Sequence, residues 1–124
     1  MANILVVDDS KFMRKMLSDI LSGEGHRILA EAENGREAVE LCKQLKPDVV
    51  TLDIIMPEVE GVDALSALKA MVKANPQSRV VMVSAMGQDK VVEECLQAGA
   101  SDFIIKPFQP SGVAGTVRAV LKSI

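Results

Sequence analysis

Five side chains that can do chemistry stand at the ends of apolar runs. Asp8 and Asp9 follow Ile4–Val7, Asp53 follows Val49–Leu52, Ser84 follows Val80–Val83, and Lys106 follows Phe103–Ile105. Three carboxylates brought to one edge repel each other, so either a divalent cation sits among them or their pKa values rise. An oxygen-only ligand set of this size suits Mg²⁺, which keeps waters and bridges to phosphate. A lysine and a hydroxyl opposite the acids would complete a seat for a phosphoryl oxygen. The chemistry that follows is nucleophilic: one carboxylate attacks a phosphoryl group and becomes an aspartyl phosphate. Asp53, alone at the end of a central run, is the nucleophile of choice. Asp8 and Asp9, adjacent in sequence, suit the metal, which would screen charge on nucleophile and phosphorus.

These residues need elements to hold them. Besides the four runs above, a fifth, Ile28–Ala32, carries Glu31 and reads as an edge strand. The other four read as near-continuous apolar strands covered on both faces. Between the runs lie segments of helical period: Phe12, Met16, Leu17, Ile20 and Leu21; then Val39, Cys42 and Leu45; then Leu65, Leu68 and Val72; then Val91, Val92, Cys95 and Leu96; and last Val113, Val117, Val120, Leu121 and Ile124. Asn34 with Glu37 reads as a helix N-cap with an acid three residues on. Pro47, Pro76 and Pro110 read as breakers between elements, and Gly23, Gly25 and Gly99 as turns after helices. Five strand–helix repeats predict an α/β fold, a doubly wound open parallel sheet of five strands with helices on both faces. Ligands of such a sheet bind outside the carboxyl ends of its strands, where the five polar residues fall.

Composition narrows the field. The chain has 124 residues, 48% of them apolar, a size and content that predict one domain with a real core. A net charge of −3 argues against a nucleic-acid partner, and an aromatic content of 2% against a base-stacking surface. No apolar run reaches the roughly 18 residues of a membrane span, and the N-terminus has no basic lead of a signal peptide. A cytoplasmic protein is expected. Cys42 and Cys95 read as small buried hydrophobes, and His26, after Gly25, as a solvated loop histidine. There is neither a G-x-x-x-x-G-K-[ST] nor a G-x-G-x-x-G loop, which disfavours a nucleotide enzyme. The lone His disfavours a Ser-His-Asp hydrolase.

Four blocks carry a family resemblance: V-V-D-D-S (Val6–Ser10), L-D-I-I-M-P (Leu52–Pro57) with Gly61, V-S-A (Val83–Ala85) and F-I-I-K-P-F (Phe103–Phe108). In order and spacing they resemble the receiver domain of two-component response regulators, over the whole chain. The resemblance implies a flavodoxin-like sheet of order 2-1-3-4-5, with a single receiver domain over 1–124 and no output domain. It implies Asp53 as phosphoacceptor, and Mg²⁺ bound directly by Asp9, Asp53 and the backbone carbonyl of Ile55, with Asp8 acting through a water. Ser84 matches the hydroxyl residue that turns toward the phosphoryl group, and Lys106 the lysine that contacts it, before a peptide bond to Pro107 that is often cis. Phe103 matches the switch aromatic.

The blocks Ser84–Gln88, Ala98–Ser111 and Phe12–Arg14 resemble the stand-alone chemotaxis type. The implied donor is a histidine kinase. The implied target is a flagellar motor switch protein, bound through the face of the fourth helix, fifth strand and fifth helix. Ile55 and Met86 lack groups that orient an attacking water, so slow loss of phosphate and a dedicated phosphatase are expected. Such a protein catalyses only its own phosphorylation and dephosphorylation, and a monomer is expected. A stand-alone receiver in a phosphorelay, or one regulating a non-motor partner, stays open as an alternative. A haloacid-dehalogenase-type phosphatase is disfavoured because Asp53-Ile54-Ile55-Met56 lacks its second aspartate. A flavin carrier is disfavoured by the absence of Trp and Tyr.

Overall fold

The computed structural model describes residues 1–122; Ile124, assigned above to the last helical stripe, lies outside them. Strands and helices alternate as expected: β1 (Asn3–Val7), α1 (Lys11–Gly23), β2 (Arg27–Ala32), α2 (Gly35–Leu45), β3 (Val49–Asp53), α3 (Ala64–Ala74), β4 (Arg79–Ala85), α4 (Asp89–Gln97), β5 (Asp102–Lys106) and α5 (Pro110–Lys122). The sheet is parallel, in the order β2-β1-β3-β4-β5. Each strand therefore delivers its C-terminal residue to the same edge, and this is what gathers residues 8, 53 and 106 from opposite ends of the chain.

Alternation along the strands splits the core into two layers. Leu5, Val7, Val50, Leu52 and Met82 pack on one face with Ala38, Cys42, Leu68 and Met71. Ile4, Val6, Val49, Val81 and Ile104 pack on the other with Leu17, Leu21, Val113 and Val117. Both cysteines are buried and free, as read from the sequence.

Several local expectations change. β5 is the second edge of the sheet: Ile104 is buried on one face, while on the other Phe103 is half-buried and Ile105 44% exposed, so this apolar run is only partly covered there. Phe12 leaves the stripe of α1 and stands 70% exposed, while Leu17 and Leu21 carry the packing. Leu45, Val91 and Leu96 likewise sit on helix flanks rather than in the core. Pro110 is the first residue of α5, where its missing N–H costs nothing, and not a breaker between elements. His26 is no solvated loop residue. It is half-buried, and its Nδ1 accepts a hydrogen bond from the N–H of Ala2 at 3.1 Å. Burial, then the positive N-terminus, hold its pKa below the ordinary value.

Asn34 caps α2 as predicted, its side chain accepting from the N–H of Glu37 at 2.8 Å. The next residue, Gly35, is a close approach: a Cβ there would meet Ala67 Cβ at 3.0 Å and the carbonyl of Asp63 at 3.1 Å. The backbone carbonyl cannot yield without moving the cap of α3, where Asp63 and Ser66 bond reciprocally. Gly35→Ala is expected to cost about 1–3 kcal/mol through overpacking. Urea denaturation checks this, and Gly23→Ala, with nothing within 4 Å of its Cβ, serves as the comparison and should be mildly stabilising.

Candidate functional site

At the carboxyl edge of the sheet, Asp8, Asp9 and Asp53 each place a carboxylate oxygen within 4.8 Å of the others. Asp8 and Asp53 are buried, and Asp9 is exposed at the mouth. The parity of the strands explains the division. Asp8 continues the face of Ile4 and Val6, and Asp53 that of Val49 and Thr51, so both point to the α1–α5 layer. Lys106 continues the face of Ile104 and meets them there. Its Nζ lies 3.3 Å from Asp53 Oδ2 and 3.4 Å from Asp8 Oδ2.

Two carboxylates and one ammonium in a buried corner leave an excess of negative charge. Asp53 bears it: burial first, and the Asp8 carboxylate second, push its pKa up to about 6, against the opposing pull of Lys106 and the N–H of Ile55. That N–H donates to Asp53 Oδ1 at 3.3 Å. For Lys106, burial alone would lower the pKa, but Asp53 and Asp8 outweigh it and hold the ammonium above its ordinary value. The sequence left two ways to relieve the repulsion, a cation or raised pKa values, and the polypeptide alone takes the second. Three clustered oxygen donors, one of them open to solvent, also fit a hard divalent cation.

Residues without a role in the sequence reading hold the first loop. Asp8 Oδ1 accepts from the N–H of Ser10 at 2.9 Å, and Ser10 in turn caps α1. Arg14 donates to the backbone carbonyl of Asp8 at 2.7 Å and pairs with Glu31 on β2 at 3.1 Å. Arg14 falls inside a quoted block, but only the folded chain shows that its guanidinium ties the acidic loop to the edge strand.

Ser84 sits apart from the charged trio. It lies on the face of Met82, the layer opposite to Asp53, and no hydrogen bond joins it to Asp53 or Lys106 among the described residues. It lines an apolar cavity of about 190 Å³ between α4 and the β4–β5 pair, with Val92, Leu96, Phe103 and Ile105. Phe103 is half-buried at the wall of this cavity. Ile55 and Met86 stand 60% and 78% exposed on the loops after β3 and β4. The Lys106–Pro107 peptide is cis. No helix among the described residues is long and apolar enough to cross a membrane.

Comparison with known proteins follows the same lines. The family described as "Response regulator receiver domain" matches residues 4–118. The chemotaxis protein CheY of Thermotoga maritima is 51% identical over 96% of this chain and 97% of its own, and that of Bacillus subtilis is 49% identical over 95% and 96%. Among solved structures, the receiver domain of NtrX from Brucella abortus superposes with a TM-score of 0.90 at 32% identity, covering 98% of this chain and 99% of that one. In the longer NtrX chain the same match spans 27% of the length.

Proposed function

The chain belongs to the response regulator receiver family of two-component signalling, in its CheY-type form, and from that premise we propose that it is a phosphorylation switch whose acceptor is Asp53. The observation that carries this reading is the arrangement of Asp53 itself: buried, raised to a pKa of about 6, beside a second carboxylate and 3.3 Å from an ammonium. Above that pKa the carboxylate is ionised and nucleophilic, yet poorly solvated.

In the step proposed, an Asp53 oxygen attacks the phosphorus of a phosphohistidine on a histidine kinase. A P–O bond forms, the P–N bond breaks, and its electron pair returns to the imidazole nitrogen. Lys106 already touches the nucleophile and is placed to pair with a phosphoryl oxygen. Asp8, Asp9, Asp53 and the carbonyl of Ile55 would hold Mg²⁺, which when bound offsets the charge shared by carboxylates and phosphoryl group. The product adds roughly −1.5 to −2 charges at one strand end.

The output is proposed to run through Ser84 and Phe103. A phosphoryl oxygen attracts the Ser84 hydroxyl away from the cavity wall, and Phe103 moves into the space already present beside it. The surface of α4, β5 and α5 changes with it, and a flagellar motor switch protein reads that surface in the cytoplasm. The test is binding of a motor switch peptide to the protein before and after phosphorylation, beside Asp53→Asn. At least tenfold tighter binding by the phosphorylated form is expected, since a switch must bind its target differentially in the two states. Affinity that ignores phosphorylation overturns the motor reading.

The lifetime of the phosphoryl group follows from Ile55 and Met86. Neither side chain can hold an attacking water by a strong hydrogen bond. Release in Mg²⁺ alone should therefore take minutes or longer, and a dedicated phosphatase would supply the missing group. Decay followed by radiolabel or intact mass checks this; loss within seconds contradicts it.

A further inference from the structure

The loop after β4 contains a contact that the switch reading does not use. The N–H of Ala85 donates to Oε1 of Gln88 at 2.7 Å. The strand ladder fixes the direction in which that N–H points. In a parallel sheet each residue turns its N–H and C=O to one neighbouring strand, and alternate residues turn to the same neighbour. The carbonyl of Val83 accepts from Ile54, the first residue beyond β3, so Val83 faces β3. The carbonyl of Val80 accepts from Ser101, before β5, so even-numbered positions face β5. Ala85 therefore faces β3, but β3 has ended at Asp53. Its N–H points into the space past the Asp53 end of the strand, with the Gln88 carboxamide set against it.

Gln88 stands at the N-cap of α4 without capping it. A glutamine side chain that leaves the helix N-terminus bare serves the preceding loop instead. Gly87, at a φ of +88°, supplies the left-handed turn that brings the carboxamide back over Ala85. The backbone carbonyl of Gln88 meanwhile accepts from Val92 at 3.0 Å and so begins the ladder of α4.

We propose that Gln88 is a built-in competitor for the phosphoryl seat: its carboxamide occupies the Ala85 N–H that a phosphoryl group on Asp53 would use, and is displaced when that group arrives. This rests on Asp53 being the acceptor. A phosphoryl oxygen is the better partner, because a hydrogen bond to an anion is roughly twice as strong as one between neutral groups. The exchange is thus favourable, but only by the difference between the two bonds. Gln88 lowers the affinity of the seat and keeps the unphosphorylated loop closed. Its release also frees the residue from which α4 starts, linking the acid site to the helix that borders the Ser84–Phe103 cavity.

The test uses beryllofluoride, an unreactive mimic of the phosphoryl group, titrated in Mg²⁺ against the wild type, Gln88→Ala and Gln88→Glu. Losing a neutral competitor of about 1 kcal/mol should tighten Gln88→Ala about fivefold. Gln88→Glu keeps the acceptor and adds a negative charge, so it should bind several-fold more weakly than the wild type. In the absence of beryllofluoride, hydrogen exchange of the Ala85 amide should speed up in Gln88→Ala. Opposite shifts in the two variants support the competitor, whereas a residue that merely stiffens the loop would weaken binding in both. Equal affinity of wild type and Gln88→Ala, or weaker binding by Gln88→Ala, overturns the proposal and leaves Asp53 as acceptor intact. Failure of the wild type to bind beryllofluoride, together with no uptake of phosphate, removes the acceptor reading and this one with it.

Discussion

Asp53→Asn is expected to make the metal-free protein more stable while abolishing its uptake of phosphate. The folded pKa of Asp53, about 6, lies above the 3.8 of an unperturbed aspartate. The folded state therefore binds the proton more tightly than the unfolded one. Ionised Asp53 costs stability at every pH above about 6, and that cost shrinks between about 6 and 3.8 and vanishes below. A separation of about two units corresponds to about 3 kcal/mol at most. The mouth of the site is open to water, and Lys106 loses a partner in the variant, so about 1–2 kcal/mol should remain at pH 8. For a chain of this size that is about 4–8 °C in melting temperature. Thermal denaturation in a chelator at pH 8 should show the gain, and the same comparison near pH 4 should show little. A gain of the same size at both values would contradict the electrostatic cause. Added Mg²⁺ should stabilise the wild type more than the variant, narrowing the gap.

Lys106→Met should do the reverse. Lys106 is the cation placed against both buried carboxylates, at 3.3 and 3.4 Å. Without it Asp53 and Asp8 face each other uncompensated, and about 1–3 kcal/mol of stability should be lost at pH 8 in the metal-free protein, since the pair is partly open to water. Phosphate uptake should fall about 10²–10³-fold, the usual cost of removing a preorganised partner of developing charge. A double-mutant cycle with Asp53→Asn separates packing from charge: the lysine should matter less by about 1 kcal/mol or more once Asp53 is neutral. Strict additivity of the two substitutions would show that the contact carries no energy.

The reach of the sequence is clearest at these same residues. That Asp8, Asp53 and Lys106 end strands could be read from apolar runs alone, and a parallel sheet then obliges them to share an edge. The order of the strands could not be read from the runs; it came with the family resemblance, and the sheet bears it out. Patterning does not reveal which strands lie at the edges when a run such as Phe103–Ile105 is wholly apolar, and so the exposure of Ile105 has no sign in the sequence. The exposure of Phe12 is hidden for a related reason. A helix stripe counts apolar residues, but the position of α1 over the sheet decides which of two adjacent rows is buried, and Leu17 and Leu21 win. The half-buried state of His26 is not legible in the sequence, because its bond to Ala2 joins two segments whose neighbourhood depends on the pairing of β1 with β2. Ser84 is the instructive case. Its place at a strand end is legible in the apolar run, but the layer it faces depends on the strand register. The register pairs Asp53 with Val83, so Ser84, one residue further along β4, turns its hydroxyl to the other layer, beside Phe103 and the cavity. The Gln88–Ala85 bond had no signal at all, since a glutamine near a helix start reads as an ordinary polar residue.

The central claim is that Asp53 accepts a phosphoryl group. The most direct measurement is intact mass after incubation with Mg²⁺ and a small acyl-phosphate donor, for the wild type beside Asp53→Asn. The account predicts a gain of one phosphoryl group in the wild type, lost when Mg²⁺ is chelated and absent in the variant. A gain that persists in Asp53→Asn, or a wild type that takes up no phosphate from either the small donor or its histidine kinase, would contradict it.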